Sequence, residues 1–300
     1  MIFAELERAD QKALEQAKAP AVVIPSPVVI YTVRIGEYSP ELMDLAWPLM
    51  RHWAAKIGAR IEVIDTRIFE PWPISFEKFQ TPIRALDAHA EWAYTVDADA
   101  LIHPDWFPVH EIIGKDTVAH NGKDFNPIRW TQDKYFRRDG RHIGSCSWFT
   151  VASDWTYEDL WRFPEQTYQE TLAAIHPTSG EMGSGLIPKE HLCDDYTLSR
   201  NIARFGLKYT TFIDICKDKL ATQGNPLLWH HYAVDNTTKF ARMCAALVAW
   251  GVMRVEDAKQ KGRQWGIQWD ACPGPQGNGV HSGPCVPCGN SGVINARRTK

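Results

Sequence analysis

Three short strand-forming runs constrain this chain most: Val28-Val29-Ile30-Tyr31-Thr32-Val33, Ile61-Glu62-Val63-Ile64-Asp65 and Trp92-Ala93-Tyr94-Thr95-Val96. A strand that is apolar on both faces has to be buried on both faces, which happens in a parallel sheet covered by helices. Helical signals fill the gaps between the runs. Ser39-Pro40 starts one helix, whose Leu42, Leu45, Leu49 and Trp53 recur at helical spacing until Gly58 stops it. Pro48 inside it predicts a kink. Thr81-Pro82 starts a second helix. Strand, helix, strand, helix, strand predicts an α/β fold: a doubly wound, mostly parallel sheet with helices on both faces.

Around this nucleus, residues 1–19 read as a polar helix, and Pro20, Pro25 and Pro27 separate it from the first strand. Ser147 to Ala152 reads as a strand, and Asp194 to Phe205 as a helix with Leu198, Ile202 and Phe205 on one face. Leu227 to Val234 is a strand candidate, followed by a helix from about Thr237 to Gly251. From Lys259 onward Gly and Pro dominate. The expected units are an N-terminal helix and linker at 1–27, an α/β domain at 28–260 and a Cys/Gly-rich tail at 261–300.

With 44% hydrophobic and 23% charged residues among 300, the chain can bury a sizeable core and is not a disordered polymer. A formal charge of −3 argues against a surface coated in positive charge for nucleic acid. No apolar run approaches the ~20 residues of a membrane span. Early Glu5, Glu7 and Asp10 do not fit a secretion signal. Cys146, Cys193, Cys216 and Cys244 are scattered singly, as suits a reducing compartment. The expected location is cytoplasmic.

The most informative stretch is Val96-Asp97-Ala98-Asp99-Ala100. Residues two apart in extended chain face the same way, so Asp97 and Asp99 present two carboxylates to one side. They leave the carboxyl end of a buried strand, where open α/β sheets bind ligands. Two carboxylates placed there repel unless a cation sits between them. A hard divalent ion so held can bind a diphosphate and stabilise its departure. The plainer reading is that both residues solvate a turn.

Here the sequence resembles the nucleotide-sugar-dependent glycosyltransferases of the GT-A fold, over about residues 28–245. The resemblance lies in the order of several short motifs. Val28 to Val33 matches the first nucleotide-binding strand, with Tyr31 among its donor-binding residues, and Asp97-Ala98-Asp99 matches the Asp-x-Asp motif that carries metal and donor. Ser179 to Gly185 stands where a glycine-rich loop is expected, Cys193-Asp194-Asp195 where an acidic pair opens a helix, and Trp229-His230-His231-Tyr232 where a late histidine completes the metal shell. The resemblance implies Asp195, helped by Asp194, as general base toward the acceptor hydroxyl; capping of the helix fits the same two residues. It implies His231 as the third metal ligand, because Tyr232 follows it, with His230 as the alternative. Adjacent strand residues face opposite ways, so only one of the two reaches the ion. A carboxylate and imidazole shell suits Mn²⁺, or Mg²⁺, over Ca²⁺. Lys239 and Arg84 are candidates to meet the diphosphate, and each also reads as a solvated base, as does Lys78. Trp130, Trp148, Trp155 and Trp161 are candidates for an acceptor platform.

In the tail, Cys272, Cys285 and Cys288 with His281 make a candidate zinc set. The segment resembles a degenerate DnaJ-type cysteine-rich repeat, with Pro275 where one ligand should stand. A disordered tail fits the same residues. Taken together, the chain is expected to move a sugar from a nucleotide-sugar, a UDP-sugar in the first instance, to an acceptor hydroxyl. The acceptor is expected to be a glycan or glycoconjugate, or a hydroxymethylated DNA base flipped out of its duplex. The rival reading is a non-catalytic protein that binds nucleic acid or a partner through its zinc-like tail.

Overall fold

A computed structural model describes residues 2–16, 26–123, 144–175, 188–219, 227–230, 235–271 and 293–298. Its centre is a six-stranded sheet in the order β2-β1-β3-β6-β5-β7. The strands are β1 (Val28–Val33), β2 (Arg60–Ile64), β3 (Trp92–Val96), β5 (Thr117–Lys123), β6 (Gly144–Ser153) and β7 (Lys208–Thr211). β1 pairs in parallel with β2 and β3, and β5 with β7, while β6 runs antiparallel to both β3 and β5. Five strands therefore share one direction and β6 alone is reversed, so the fold is α/β with a mostly parallel sheet.

Helices α1 (Ile2–Gln16), α2 (Pro40–Lys56) and α3 (Thr81–Asp87) form in the first half. In the second half come α4 (Tyr157–Leu160), α5 (Tyr168–Ala174), α6 (Cys193–Arg204), α7 (Phe212–Lys219), α8 (Asn236–Ala249) and α9 (Val255–Gln264). β1, β3 and α3 begin where the sequence places them, and α2 runs continuously through Pro48. Gly58 ends the turn after α2 at φ +67°, a conformation that costs glycine nothing. None of these helices is long and apolar enough to cross a membrane.

The sheet's two faces carry separate apolar clusters. One, with Val29, Ala93, Val118 and Ala152, packs against Tyr196, Leu198 and Ile202 of α6. The other, with Ile30, Tyr94, Phe149 and Val151, surrounds the fully buried Trp53 of α2. A third cluster joins the opposite side of α2 to α8, and takes in Phe3 and Leu6 of α1 and Trp269. Trp269 lies on β9 (Ile267–Ala271), which pairs antiparallel with β10 (Val293–Arg298). The intervening Cys272, His281, Cys285 and Cys288 lie outside the described residues.

Two local features set the site. After β3 the chain turns, with Asp97 N–H donating to Trp148 and Ala100 N–H to Asp97. It re-emerges as β4 (Leu101–Ile102), which pairs antiparallel with β8 (Leu228–Trp229), Leu101 opposite Trp229. That register carries His230 past the end of the ribbon, beside the turn. The second feature is in β6, where the pairing with β5 slips between His120 and Asn121, so that Ser147 to Phe149 have no partner on β5. A bulge of this kind re-aims the backbone, and the free N–H of Ser147 points at α6.

Candidate active site

Asp97, Asp99 and His230 come together at the carboxyl ends of the strands, each offering one ligand atom within 4.8 Å of the others. His230 Nε2 is 3.5 Å from Asp97 Oδ2 and 3.3 Å from Asp99 Oδ1. The imidazole is buried and stacks on Trp148, with ring centroids 5.1 Å apart and planes at 21°.

The other oxygen of each carboxylate is already engaged. Lys78 Nζ meets Asp97 Oδ1 at 2.5 Å. Asp99 Oδ2 accepts from Lys239 Nζ and, at 2.6 Å, from the hydroxyl of Tyr38. Burial opposes charge on Asp99, but His230, and then Lys239, outweigh it and hold the carboxyl well below the usual carboxylate range. Burial and the Asp99 charge push the Tyr38 phenol up, so it remains a neutral donor.

Beside this trio lies a second carboxylate pair in the first turn of α6. Asp194 Oδ2 accepts from Lys78 at 3.2 Å and from Ser147 Oγ at 2.8 Å. Asp195 Oδ1 accepts the Ser147 N–H at 2.6 Å. The helix is preceded by a 3-10 turn, Lys189–Leu192, and Leu192 occupies its N-cap position. Asp194 and Asp195 thus lie inside the first turn and use their side-chain oxygens mainly on β6 and Lys78. Burial, then the adjacent Asp194 charge, push Asp195 up to about 7, against the Ser147 N–H and Lys78. A carboxylate tuned to that range can take a proton near neutral pH.

The donor set fits a divalent cation. Asp97 Oδ2, Asp99 Oδ1 and His230 Nε2 are the atoms the lysines leave open, and they converge on one side. Among the described residues, four carboxyl groups face two buried ammonium groups, and with Asp195 raised to about 7 the site is short by between one and two positive units. A neutral imidazole whose Nε2 faces two anionic oxygens needs a proton or a cation among the three atoms. Two oxygens and one imidazole nitrogen are the ligands of a Mn²⁺- or Mg²⁺-type ion.

Other expected residues are placed differently. Arg84 donates to Glu62 at 3.1 Å and to Gln80, turning toward β2. Tyr31 is fully buried on β1, its hydroxyl without a partner among the described residues; burial, then the Glu62 charge, push the phenol up. Lys239 and Lys78, each also read as a solvated base, are 6% and 3% exposed and lie within the site. Trp161 is buried in the α6-side cluster and Trp155 is exposed, so these two do not join Trp148 in a platform. His231, the glycine-rich segment 179–185 and Trp130 lie outside the described residues.

Sequence reasoning did not find Tyr38 and Ser147. Tyr38 follows β1 in a loop at the carboxyl end of the sheet, a position that is itself a signal for ligand contact. Ser147 had no signal, since its role depends on the bulge.

No protein-family model matches the chain, and no curated protein matches it. Among solved structures it is similar to a glycosyltransferase involved in the glycosylation of the major capsid of PBCV-1. That likeness has 10% sequence identity and a TM-score of 0.42, and it covers 72% of this chain and 98% of the other.

Proposed function

We propose that this protein is a metal-dependent glycosyltransferase that moves a sugar from a nucleotide-sugar, a UDP-sugar in the first instance, to an acceptor hydroxyl. One observation carries the reading: a cation-type set, Asp97, Asp99 and His230, lies at the carboxyl end of the sheet beside a separate carboxylate, Asp195, raised toward neutrality. Group transfer from a diphosphate needs both functions: positive charge where the leaving group departs, and a base where the nucleophile arrives.

Asp97 Oδ2, Asp99 Oδ1 and His230 Nε2 would hold the ion. A divalent cation bound there supplies Lewis-acid stabilisation of the charge gathering on the departing diphosphate. Lys239 and Tyr38 keep Asp99 turned so that Oδ1 faces the ion. Trp148 fixes the plane of the His230 ring. Asp195 takes the acceptor proton on a carboxylate oxygen, and the Ser147 N–H orients that carboxylate. Tyr38, a 40% exposed residue bonded to Asp99, offers the donor a flat surface.

A panel of nucleotide-sugars tests this by thermal shift with and without Mn²⁺, followed by mass spectrometry of products with glycan and hydroxymethylated-DNA acceptors. A true donor raises Tm only when Mn²⁺ is present, by mass action. Asp99→Asn must abolish that rise. A flat response across the panel, with Mn²⁺ present, would end the reading.

A further inference from the structure

Among the described residues, Lys78 touches both halves of the site. It lies on a 3-10 segment, Ile74–Gln80, which the fully buried Glu77 anchors by accepting the backbone N–H groups of Ile68 and Phe69. An ammonium has three donors and no acceptor. Lys78 spends all three: on Asp97 Oδ1 at 2.5 Å, on Asp194 Oδ2 at 3.2 Å and on Ser147 Oγ at 3.2 Å. Ser147 in turn donates its hydroxyl to Asp194 and its N–H to Asp195. A single positive charge therefore stands between a cation-side carboxylate and the base-side pair.

We propose that Lys78 is a positioning residue that couples the two halves, lending Asp97 a shared counter-charge while holding the Asp194–Asp195 pair in place. The inference rests on the reading of Asp97 as a cation ligand and Asp195 as the base. Without the ammonium, Asp97 and Asp194 would face each other across a buried gap with nothing between them, and like charges so placed repel. Among the described residues, the groups that face Asp195 are Asp194 on its own helix, Ser147 on β6 and Lys78 on the 3-10 segment. Removal of Lys78 takes away the only cation among them.

Coupling gives matching effects on the two halves: with the ammonium gone, each holds its own positive partner more firmly. Lys78→Met leaves the cation side more negative, so Mn²⁺ binds at least as tightly as to the native protein. The base side, deprived of its counter-charge, holds its proton to higher pH, by about one unit or more. A lysine that only filled space would give neither pattern, because its loss would loosen the cation site along with the rest.

The test uses the full chain and two readouts that need no sugar transfer: Mn²⁺ binding by electron paramagnetic resonance, and titration of the Asp195 carboxyl by ¹³C NMR. Retained or tighter Mn²⁺ binding together with an upward shift of the Asp195 titration supports the coupling. An Asp195 titration that does not move, or loss of Mn²⁺ binding from a folded variant, overturns it. Should Lys78→Met fail to fold, Ser147→Ala removes the hydroxyl that Lys78 and Asp194 share. A smaller shift in the same direction is then expected, and no shift overturns the coupling. If every donor gives no product while both effects appear, the transferase reading falls and the coupling stands.

Discussion

Lys239 donates to Oδ2 of Asp99, leaving Oδ1 to face His230 Nε2 at 3.3 Å. A buried ammonium thus decides which lone pairs of a candidate metal ligand remain available. The arrangement is what an outer partner does for a ligating group: it satisfies one oxygen and orients the other.

Asp99→Asn keeps the shape but removes the charge that Lys239 and His230 answer. Mn²⁺ affinity is expected to fall by at least ~100-fold, since a direct ligand is lost and outer partners alone are worth 10–100-fold. Stability falls as well, because breaking a buried pair costs about 3–5 kcal/mol. Metal titration and chemical denaturation of the same variant check both effects.

His230→Ala removes the imidazole that faces both carboxylates and stacks on Trp148. It should weaken Mn²⁺ binding by ~10-fold or more while the far-ultraviolet circular dichroism stays native. His231→Ala is the paired control, and its Mn²⁺ affinity should remain within about threefold of native. The opposite ranking would transfer the ligand role to His231.

Asp195→Asn is expected to cut turnover by about 10²–10⁴, the range for a lost general base, while Mn²⁺-dependent donor binding persists. In the native protein the carboxyl is pushed up to about 7 by burial and then by Asp194. The base works only when deprotonated, so kcat/KM should fall as pH drops below about 7. A pH–rate profile with no acidic inflection between 6 and 8 removes Asp195 from this role.

His120 predicts an acid-sensitive fold. It is 1% exposed on β5, and neither ring nitrogen has a hydrogen-bond partner among the described residues. Burial pushes the imidazole down to about 4, against an ordinary 6.5. Between those values the unfolded chain binds the proton that the folded one refuses. Stability is therefore complete above about 6.5 and falls as pH drops toward 4. The loss is on the order of 3 kcal/mol, from about 1.36 kcal/mol per pKa unit. Urea denaturation of native and His120→Phe proteins at pH 7.5 and 4.5 checks this, and the variant should lose less stability on acidification.

Much of the fold was legible because it is written in local patterns. The runs 28–33 and 92–96 become β1 and β3, apolar on both faces because helices cover both, and Thr81-Pro82 starts α3 as its proline dictates. Asp97 and Asp99 stood out because their spacing and their place after a buried strand are both local. The reversed direction of β6 left no local mark, since it follows from which strands it joins. Asp194 and Asp195 read equally as caps or as a reactive pair until the Leu192 N-cap and the Ser147 contacts set them inside the helix.

The sequence by itself determined strands β1, β2 and β3, the helices α2 and α3 between them and the carboxylate pair that leaves β3, because each depends on the order of neighbouring residues. The tertiary structure alone decided that His230 faces Asp97 and Asp99, that Lys239 and Tyr38 hold one oxygen of Asp99, and that Lys78 bridges Asp97 to Asp194. A lone lysine, tyrosine or serine in a loop has no periodicity to betray it. Its role follows from the charges that chain closure brings within about 3 Å, where removal from water makes each pairing decisive.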